Sequence, residues 1–339
     1  MVARSICQVL GSAEHGGLER HFIDLCNALS ERHQVTAIAH PMHAEALAPE
    51  VHFVPLDMTG SRLNPHLLLQ LHRALRNAMP DLVHSHANKA TAMVAMLKPW
   101  LSMSFVATLH NDKSRLSMFR KCDAVIAVSR TLAESLPRSG VEVIPNGIAE
   151  PGPVDSARIG ALQAALENPP LVLAVGRLVK AKGFDLLLHC WRDMSAQLWI
   201  AGEGPQRDAL QGLIQDYGVS DRVTLLGERH DIDVLMQAAD LLVLPSRREG
   251  FPYVLVEALF QRLPVVAARV PGAVDLLPPH WMFEVDDAPA LTALLQAALA
   301  QPEQIGRDFE PVWQRARAEC SLQHMVERTE AIYQKVLHG

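Results

Sequence analysis

Short β-branched and apolar runs alternate with amphipathic segments along almost the whole chain, and the alternation is interrupted once. "SICQVL" is followed by "GLERHFIDLCNALSE", whose Leu18, Phe22, Leu25 and Leu29 recur at helical spacing. "QVTAIA", "VHFVPL", "DLVHSH", "SFVATLH", "DAVIAVS" and "VEVIP" read as further strands, with "PHLLLQLHRALRNA" and "ANKATAMVAMLKPW" as helices between some of them. "NGIAEPGPVDS", carrying Pro151, Gly152 and Pro153, breaks the pattern and reads as a linker. It then restarts with "PLVLAVG", "AQLWIAG", "RVTLLG", "DLLVLP" and "LPVVAA". Strands joined through helices are parallel, because a parallel connection needs a long crossover. The expected fold class is therefore α/β with two doubly wound domains, over residues 1–150 and 151–315. The segment 316–339 reads as a terminal helix, with Met325, Thr329, Ile332 and Val336 forming an apolar face that suits packing on the first domain.

A length of 339 residues supports two ordinary cores, and 49% hydrophobic with 20% charged residues leaves no compositional case for disorder. No run approaches the roughly 20 apolar residues of a membrane-spanning helix, and the stretch before Gly11 is short for a signal sequence, so a cytoplasmic location is expected. The five cysteines are scattered and never form a C-x-x-C pair, which argues against a disulfide framework and a zinc site and for small buried hydrophobes. The net charge of −6 is unevenly shared: the first half is near neutral and rich in histidine, the second acidic. No basic stripe with interleaved aromatics is present, which excludes a nucleic-acid partner.

The most informative loop is "SRREGFPYVLVEALF", with Glu249 and Glu257 on either side of Gly250, Phe251 and Pro252. Pro252 suits the first position of a helix, which places Glu249 in the preceding loop and Glu257 about 8 Å along the helix axis. Carboxylates so spaced suit two parts of one extended ligand better than one shared proton or metal ion. The helix N-terminus between them offers N–H groups that favour an anion. Hydroxyls at both ends and phosphates in the middle describe a nucleotide sugar. A solvated glutamate and a helix-surface glutamate are the plainer reading, although "YVLVEALF" makes full solvation of Glu257 hard to sustain.

Three other loops follow predicted strands at their carboxyl ends, where doubly wound sheets bind ligands. In "AVGRLVKAKGF", Arg177 and Lys182 lie between Gly176 and Gly183, and two cations converging on such a turn can neutralise a diphosphate. In "GSAEHGGLER", Gly16 and Gly17 open the first helix and admit either a tight structural turn or an anion site. In "IAGEGPQRDAL", Gly202 and Gly204 are explained by the turn alone, with ligand contact an addition. In the first domain, strand ends carry His84, His86 and His110, which read equally as hydrogen-bonded structural residues or as site residues, with His84 and His86 as candidates for the acceptor side. Asp231 and Asp233 have the spacing of a metal-binding pair but directly precede the apolar run "VLMQAAD", where N-capping is the better account.

Taken together, "HGGLERHFIDLCNAL", "VIPNGI", "AVGRLVKAKGFDLLL", "IAGEGP", "LPSRREGFPYVLVEAL" and "VPGAVDLL" resemble, in order, the retaining GT-B glycosyltransferases of family four. Glu249 and Glu257 stand as that family's E-x7-E signature. The resemblance implies two Rossmann-like domains with a cleft between them and a nucleotide-sugar donor bound mainly by the second. It implies that Glu257 holds the ribose, Arg177 and Lys182 the diphosphate, and Glu249 with the N–H groups of Phe251 to Tyr253 the transferred sugar. Gly17 would approach the phosphate and His110 the sugar near its reacting carbon. No metal or other cofactor is implied. Transfer with retention, in which the departing phosphate takes the acceptor's proton, is the family's usual proposal. The chain departs at Ala149, where the family usually has Asp after "PNGI", and at Asp275 in the later Gly272 motif, where it usually has Glu.

The expected function is transfer of a sugar from a nucleotide sugar to a glycan or glycolipid acceptor, as in lipopolysaccharide or other cell-surface polysaccharide synthesis. A sugar-nucleotide epimerase of the same fold would release an altered sugar without an acceptor, and a binding protein that had lost catalysis would show decay at residues that are all present here. Mixed basic and apolar residues in the first domain (His72, Arg73, Arg76, Lys98, Lys113, Arg115, Arg120 and Lys121 beside a leucine face) suit peripheral contact with an anionic membrane, or equally a core helix with a solvated edge.

Overall fold

The computed structural model describes residues 3–111, 116–153, 156–164 and 170–338. Lys113 and Arg115 of the expected basic surface lie outside the described residues. The chain divides into two compact units, Met1–Gly147 with Leu322–Gly339, and Ile148–Ser321.

The first unit carries β1 (Ser5–Leu10), α1 (Gly17–Ser30), β2 (Gln34–Ala39), β3 (His52–Pro55), α2 (Pro65–Ala78), β4 (Leu82–His86), α3 (Ala87–Leu97), β5 (Ser104–Leu109), β6 (Ala124–Ala127), α4 (Arg130–Ser135) and β7 (Val141–Val143). Its strands form one parallel sheet in the order β3-β2-β1-β4-β5-β6-β7. Both faces are covered, so the central strands are buried along their length, as Ile6 to Leu10 are. Helix α2 begins on Asn64, whose side chain accepts from the N–H of His66, with Pro65 at the first helical position. Its leucine face, Leu67, Leu71 and Leu75, is core, which leaves Arg73 and Arg76 exposed.

The second unit carries α5 (Ser156–Ala164), β8 (Leu171–Val175), α6 (Phe184–Cys190), β9 (Gln197–Ala201), α7 (Arg207–Asp216), β10 (Val223–Gly227), α8 (Ile232–Ala238), β11 (Leu241–Leu244), α9 (Tyr253–Phe260), β12 (Val265–Ala268), α10 (Ala273–Leu276), β13 (Met282–Phe283), α11 (Ala288–Ala300) and α12 (Pro302–Glu319). Its six parallel strands follow the order β10-β9-β8-β11-β12-β13, the same winding as the first six of the other unit.

The last part of the chain differs from a single helix over 316–339. Residues 316–319 finish α12, and α13 (Leu322–His338) is a new helix. The break has a cause: the carbonyl of Cys320 accepts from the N–H of Ile148 at 3.0 Å, and Ser321 bridges Ile148 in parallel fashion, which takes these groups out of the helical ladder. Helix α13 belongs to the first unit, where Met325, Val326, Ile332 and Tyr333 pack with Phe22 and Leu25 of α1. All five cysteines are free and buried. Among the described residues no helix is long and apolar enough to cross a membrane.

Candidate functional site

In each sheet the strand order reverses once, between β1 and β4 in the first unit and between β8 and β11 in the second. Loops leaving the two strands on either side of such a reversal diverge and leave a crevice at the carboxyl end of the sheet. Most of the sequence-selected residues sit on these four loops or on the ends of the neighbouring strands.

In the second unit the loop after β8 holds Gly176, Arg177 and Lys182, and the loop after β11 holds Ser246, Arg247 and Glu249. The two loops are bound together. The N–H of Arg247 donates to the Ala181 carbonyl at 2.8 Å, and its guanidinium donates to the Lys180 carbonyl and to both oxygens of Asp185, at 2.7 and 3.0 Å. Gly183 has φ 69°, and a Cβ there would lie 2.0 Å from the Pro245 carbonyl oxygen, so this close approach requires glycine. The result brings Lys182 Nζ into an ion pair with Glu249 Oε1, which also accepts from Ser246 Oγ at 2.9 Å. The pair is largely shielded, with the side chains 22% and 13% exposed.

The loop after β9 is tied in as well, since the N–H of Leu178 donates to the Glu203 carbonyl and the N–H of Gln206 to the Leu178 carbonyl. Gly204 lies in this turn, beside an ion pair between Glu203 and Arg207. Arg177 is exposed. Helix α9 starts at Tyr253, and Pro252 is its N-cap with extended backbone rather than its first helical residue. Pro252 makes no side-chain cap at this end, and Gly250, Phe251, Pro252 and Tyr253 are buried around it. Glu257 is half-buried on α9 between the buried Val256 and Ala258.

In the first unit, β4 and β5 run in register with β1: Gln8 stands beside His84, Leu10 beside His86, and His86 beside Thr108. Alternation along a strand puts Gln8, His84, His86, Thr108 and His110 on one face of the sheet, under α1 and α13. All five side chains are buried, with His110 only 5% exposed. They form one hydrogen-bonded set. His84 Nδ1 meets the Tyr333 hydroxyl at 2.6 Å and its Nε2 meets Thr108 Oγ1 at 2.7 Å. Gln8 Nε2 donates to the same tyrosine oxygen at 3.0 Å, and Gln8 Oε1 meets His86 Nε2 at 2.8 Å. His86 Nδ1 in turn lies 3.3 Å from His110 Nε2.

His21, on α1, packs edge-on to His110 with ring centroids 4.6 Å apart and shares its Nδ1 with Asn146 Oδ1 at 3.0 Å. Burial lowers the His21 pKa to about 4, the Asn146 bond opposing that shift, and burial also holds His84, His86 and His110 well below the ordinary imidazole value. All four imidazoles are neutral at pH 7.

The structure thus joins Lys182 to Glu249 and His84 to His86 and His110. It does not pair Asp231 with Asp233. Asp231 caps nothing with its side chain, because two guanidiniums claim it: Arg229 at 2.7–2.8 Å and Arg158 at 2.6 Å. At Gly16 and Gly17, the Glu19 carboxylate lies 3.1 Å from where a Cβ on Gly16 would stand, so the start of α1 already faces one negative charge. Ala149 is exposed beside the Ile148 bridge, and Asp275 lies in the short α10. Sequence reasoning passed over Gln8, His21, Asn146, Ser246 and Tyr333. Gln8 alone carried a signal, as one amide inside an otherwise apolar buried strand that had to find partners.

Comparison with known proteins agrees with this division. Residues 15–150 match the family model described as Glycosyltransferase Family 4, and residues 161–307 the one described as Glycosyl transferases group 1. The chain is 29% identical over 309 residues to the lipopolysaccharide core biosynthesis glycosyltransferase LpsE of Rhizobium meliloti, covering 84% of this chain and 86% of that one. It is 26% identical over 282 residues to LpsD of the same organism, covering 79% and 78%. Its fold matches the crystal structure of HepE from Anabaena in complex with UDP, with a TM-score of 0.83 at 20% identity over 98% of this chain and 100% of that one. HepE has also been solved in complex with UDP-glucose.

Proposed function

We propose, for a chain that belongs to the family 4 type of glycosyltransferase with the GT-B fold, that it moves a sugar from a nucleotide-sugar donor to a glycan or glycolipid acceptor with retention at the anomeric carbon. The observation that carries this reading is the contact between Lys182 and Glu249 at the strand-order reversal of the second unit. A cation for a diphosphate and a carboxylate for sugar hydroxyls meet at one point, as the junction of a sugar with its nucleoside diphosphate requires. In this reading Arg177 and Lys182 neutralise the diphosphate, and the N-terminus of α9 turns the positive end of its dipole toward it. Glu249 accepts from sugar hydroxyls and Glu257 from the ribose. The first unit supplies Gly17 near the phosphate and His110, whose neutral imidazole can exchange hydrogen bonds with a hydroxyl without adding a charge.

Glu249 does not act as a nucleophile in this reading. Its Oε1 is held by Lys182 and Ser246, which suits a positioning carboxylate. Retention then follows from attack on the face from which the phosphate leaves, with a phosphate oxygen taking the acceptor's proton. The acceptor O–H and the sugar–phosphate bond break, and the new glycosidic bond forms.

The relatives LpsE and LpsD, both named for lipopolysaccharide core biosynthesis, support a lipopolysaccharide-type acceptor. Exposed Leu63, Leu69, Met79 and Trp100, with Arg73 and Arg76 nearby in sequence, support contact of the first unit with the inner face of an anionic membrane, and a cytoplasmic location. A panel of UDP-, GDP- and dTDP-sugars, assayed with lipopolysaccharide-core acceptors, tests the function, and the anomeric coupling constant of the product tests retention. An inverted product would overturn the mechanism. Turnover is expected to persist in EDTA, because fixed cations and helix N–H groups do the work of a divalent ion. Complete loss restored by Mn²⁺ would overturn that expectation.

A further inference from the structure

The hydrogen bonds around His110 extend across the first unit to the far end of the chain, and they have a direction. Burial keeps every imidazole neutral, so each ring has one N–H and one lone pair. Hydroxyls can rotate and imidazoles can move their proton from one nitrogen to the other. The Gln8 amide can do neither: its nitrogen only donates and its oxygen only accepts. Its nitrogen donates to the Tyr333 hydroxyl, so its oxygen takes the N–H of His86 Nε2. His86 Nδ1 is then a lone pair and accepts from His110 Nε2–H at 3.3 Å. His110 is left with a lone pair on Nδ1. On the other side, the Tyr333 hydrogen passes to His84 Nδ1, and His84 Nε2–H donates to Thr108 Oγ1.

We propose that Gln8 and Tyr333 are positioning residues that fix the tautomer of His110. Turning the Gln8 amide over would reverse every donor and acceptor between it and His110, leaving Nδ1 of His110 protonated. Tyr333, reaching the amide from α13, 325 residues away in sequence, ties that flip to a simultaneous reversal of its own hydroxyl, of His84 and of Thr108. This rests on the reading of His110 as the residue that meets the sugar, because its tautomer decides whether Nδ1 offers a lone pair or a hydrogen to that hydroxyl.

One ring nitrogen each of His21, His86 and His110 also lies within 4.8 Å of the other two, the donor count of a transition-metal site. No carboxylate joins them among the described residues, and His86 Nδ1 would have to give up its hydrogen bond from His110 to take an ion. The proton already shared by His86 and His110 favours the hydrogen-bonded arrangement.

The test uses the full chain labelled with ¹⁵N-histidine, with His110→Ala assigning the His110 signals. Proton–nitrogen correlation separates protonated from unprotonated ring nitrogens. Wild type should show Nε2–H on His110. Gln8→Leu and Tyr333→Phe should shift His110 toward the Nδ1–H form or an even mixture. Both should lower kcat by about ten-fold, short of the ~10²-fold expected on removing His110 itself, and leave nucleoside-diphosphate affinity unchanged. Tyr333→Phe keeps the buried ring and carries the test if Gln8→Leu fails to fold. An unchanged His110 tautomer in the folded variants would overturn the proposal, as would a changed tautomer with normal kcat. Stoichiometric zinc in the purified protein would overturn it too. Normal turnover in His110→Ala would instead remove His110 from the reaction, a failure of the functional reading that the tautomer shift itself does not report.

Discussion

The two units wind their sheets in the same order and reverse it at the same place, yet the side chains gathered there have opposite character. Around the reversal of the second unit stand Arg177, Lys182, Glu249 and Arg247, charged groups paired across loops and partly open to solvent. Near that of the first unit stand Gln8, His84, His86 and His110, neutral groups buried on the sheet and joined to one another. Charge at a loop can be met by a charged ligand, because solvent and loop movement share the cost when the ligand leaves. A neutral network in a packed core does the converse: it holds one imidazole in one state whether or not a ligand is present. On the proposed reading, the same winding serves one unit as a holder of phosphates and the other as a mount for a single ring.

The largest expected difference is in acid. His21 has a folded pKa of about 4 against about 6.5 unfolded, so the unfolded chain binds the extra proton between those values. Stability is then full above pH 6.5 and is lost as pH falls toward 4, by roughly 3 kcal/mol for His21 alone. His84, His86 and His110 shift in the same direction. In the second unit Asp231 is held below the carboxylate value chiefly by its bond from Arg229, so its contribution disappears only below about pH 4. The buried cysteines report on each unit separately, Cys7, Cys26 and Cys122 on the first and Cys190 and Cys320 on the second. Urea titrations at pH 7 and pH 5, each followed by a short thiol-labelling pulse at pH 7 and mass spectrometry, should show the first three becoming reactive at lower urea at pH 5. Equal shifts in both groups would break the comparison.

His110→Ala should lower kcat and kcat/KM together by ~10²-fold and leave affinity for the bare nucleoside diphosphate intact, because that ligand is assigned to the second unit. A purely structural His110 behaves differently: the melting temperature falls while turnover per folded molecule stays near wild type. Measuring rate, affinity and melting on one preparation separates the two.

Glu257→Ala makes the reciprocal test. A half-buried carboxylate accepting ribose hydroxyls is worth more than the ~1 kcal/mol of an ordinary hydrogen bond, so nucleotide affinity should fall by about ten-fold. Calorimetric titration with the nucleotide that wild type binds measures it. Unchanged affinity would take Glu257 out of the site.

What could be read in advance follows the same divide. The winding of both sheets and the charged loops of the second unit were legible, because strands, turns and charge spacing are local signals. Lys182 and Glu249 stood out separately, and their meeting was implied once both loops were placed at neighbouring strand ends. The network of the first unit was legible only as isolated histidines. Its remaining members come from α1, from the end of the linker at Asn146, and from α13, and no local pattern in "EAIYQKVL" says that Tyr333 reaches Gln8. The break at Cys320 was hidden for a like reason, since the N–H that holds it open belongs to Ile148.

The smallest effect concerns the backbone that carries His86. Ala87, the next residue, has φ 60°, where a non-glycine residue costs about 1–2 kcal/mol, whereas the second unit places glycine in its strand-end turn at Gly176. Thr91 Oγ1 donates to the Ala87 carbonyl at 2.7 Å, so the turn is held from the helix side and the Cβ is not what sets it. Ala87→Gly should therefore relieve strain, offset in part by the greater freedom of glycine in the unfolded chain. The expected net gain is at most ~1 kcal/mol, or about 2–4 °C in melting temperature, with kcat and the His110 tautomer unchanged. Calorimetry at pH 7 decides it. A lower melting temperature would mean that the half-buried methyl packs better than the strain costs, and the difference between the two turns would then be one of packing. A changed tautomer would mean that the strained peptide, and not Gln8, holds His86 in place.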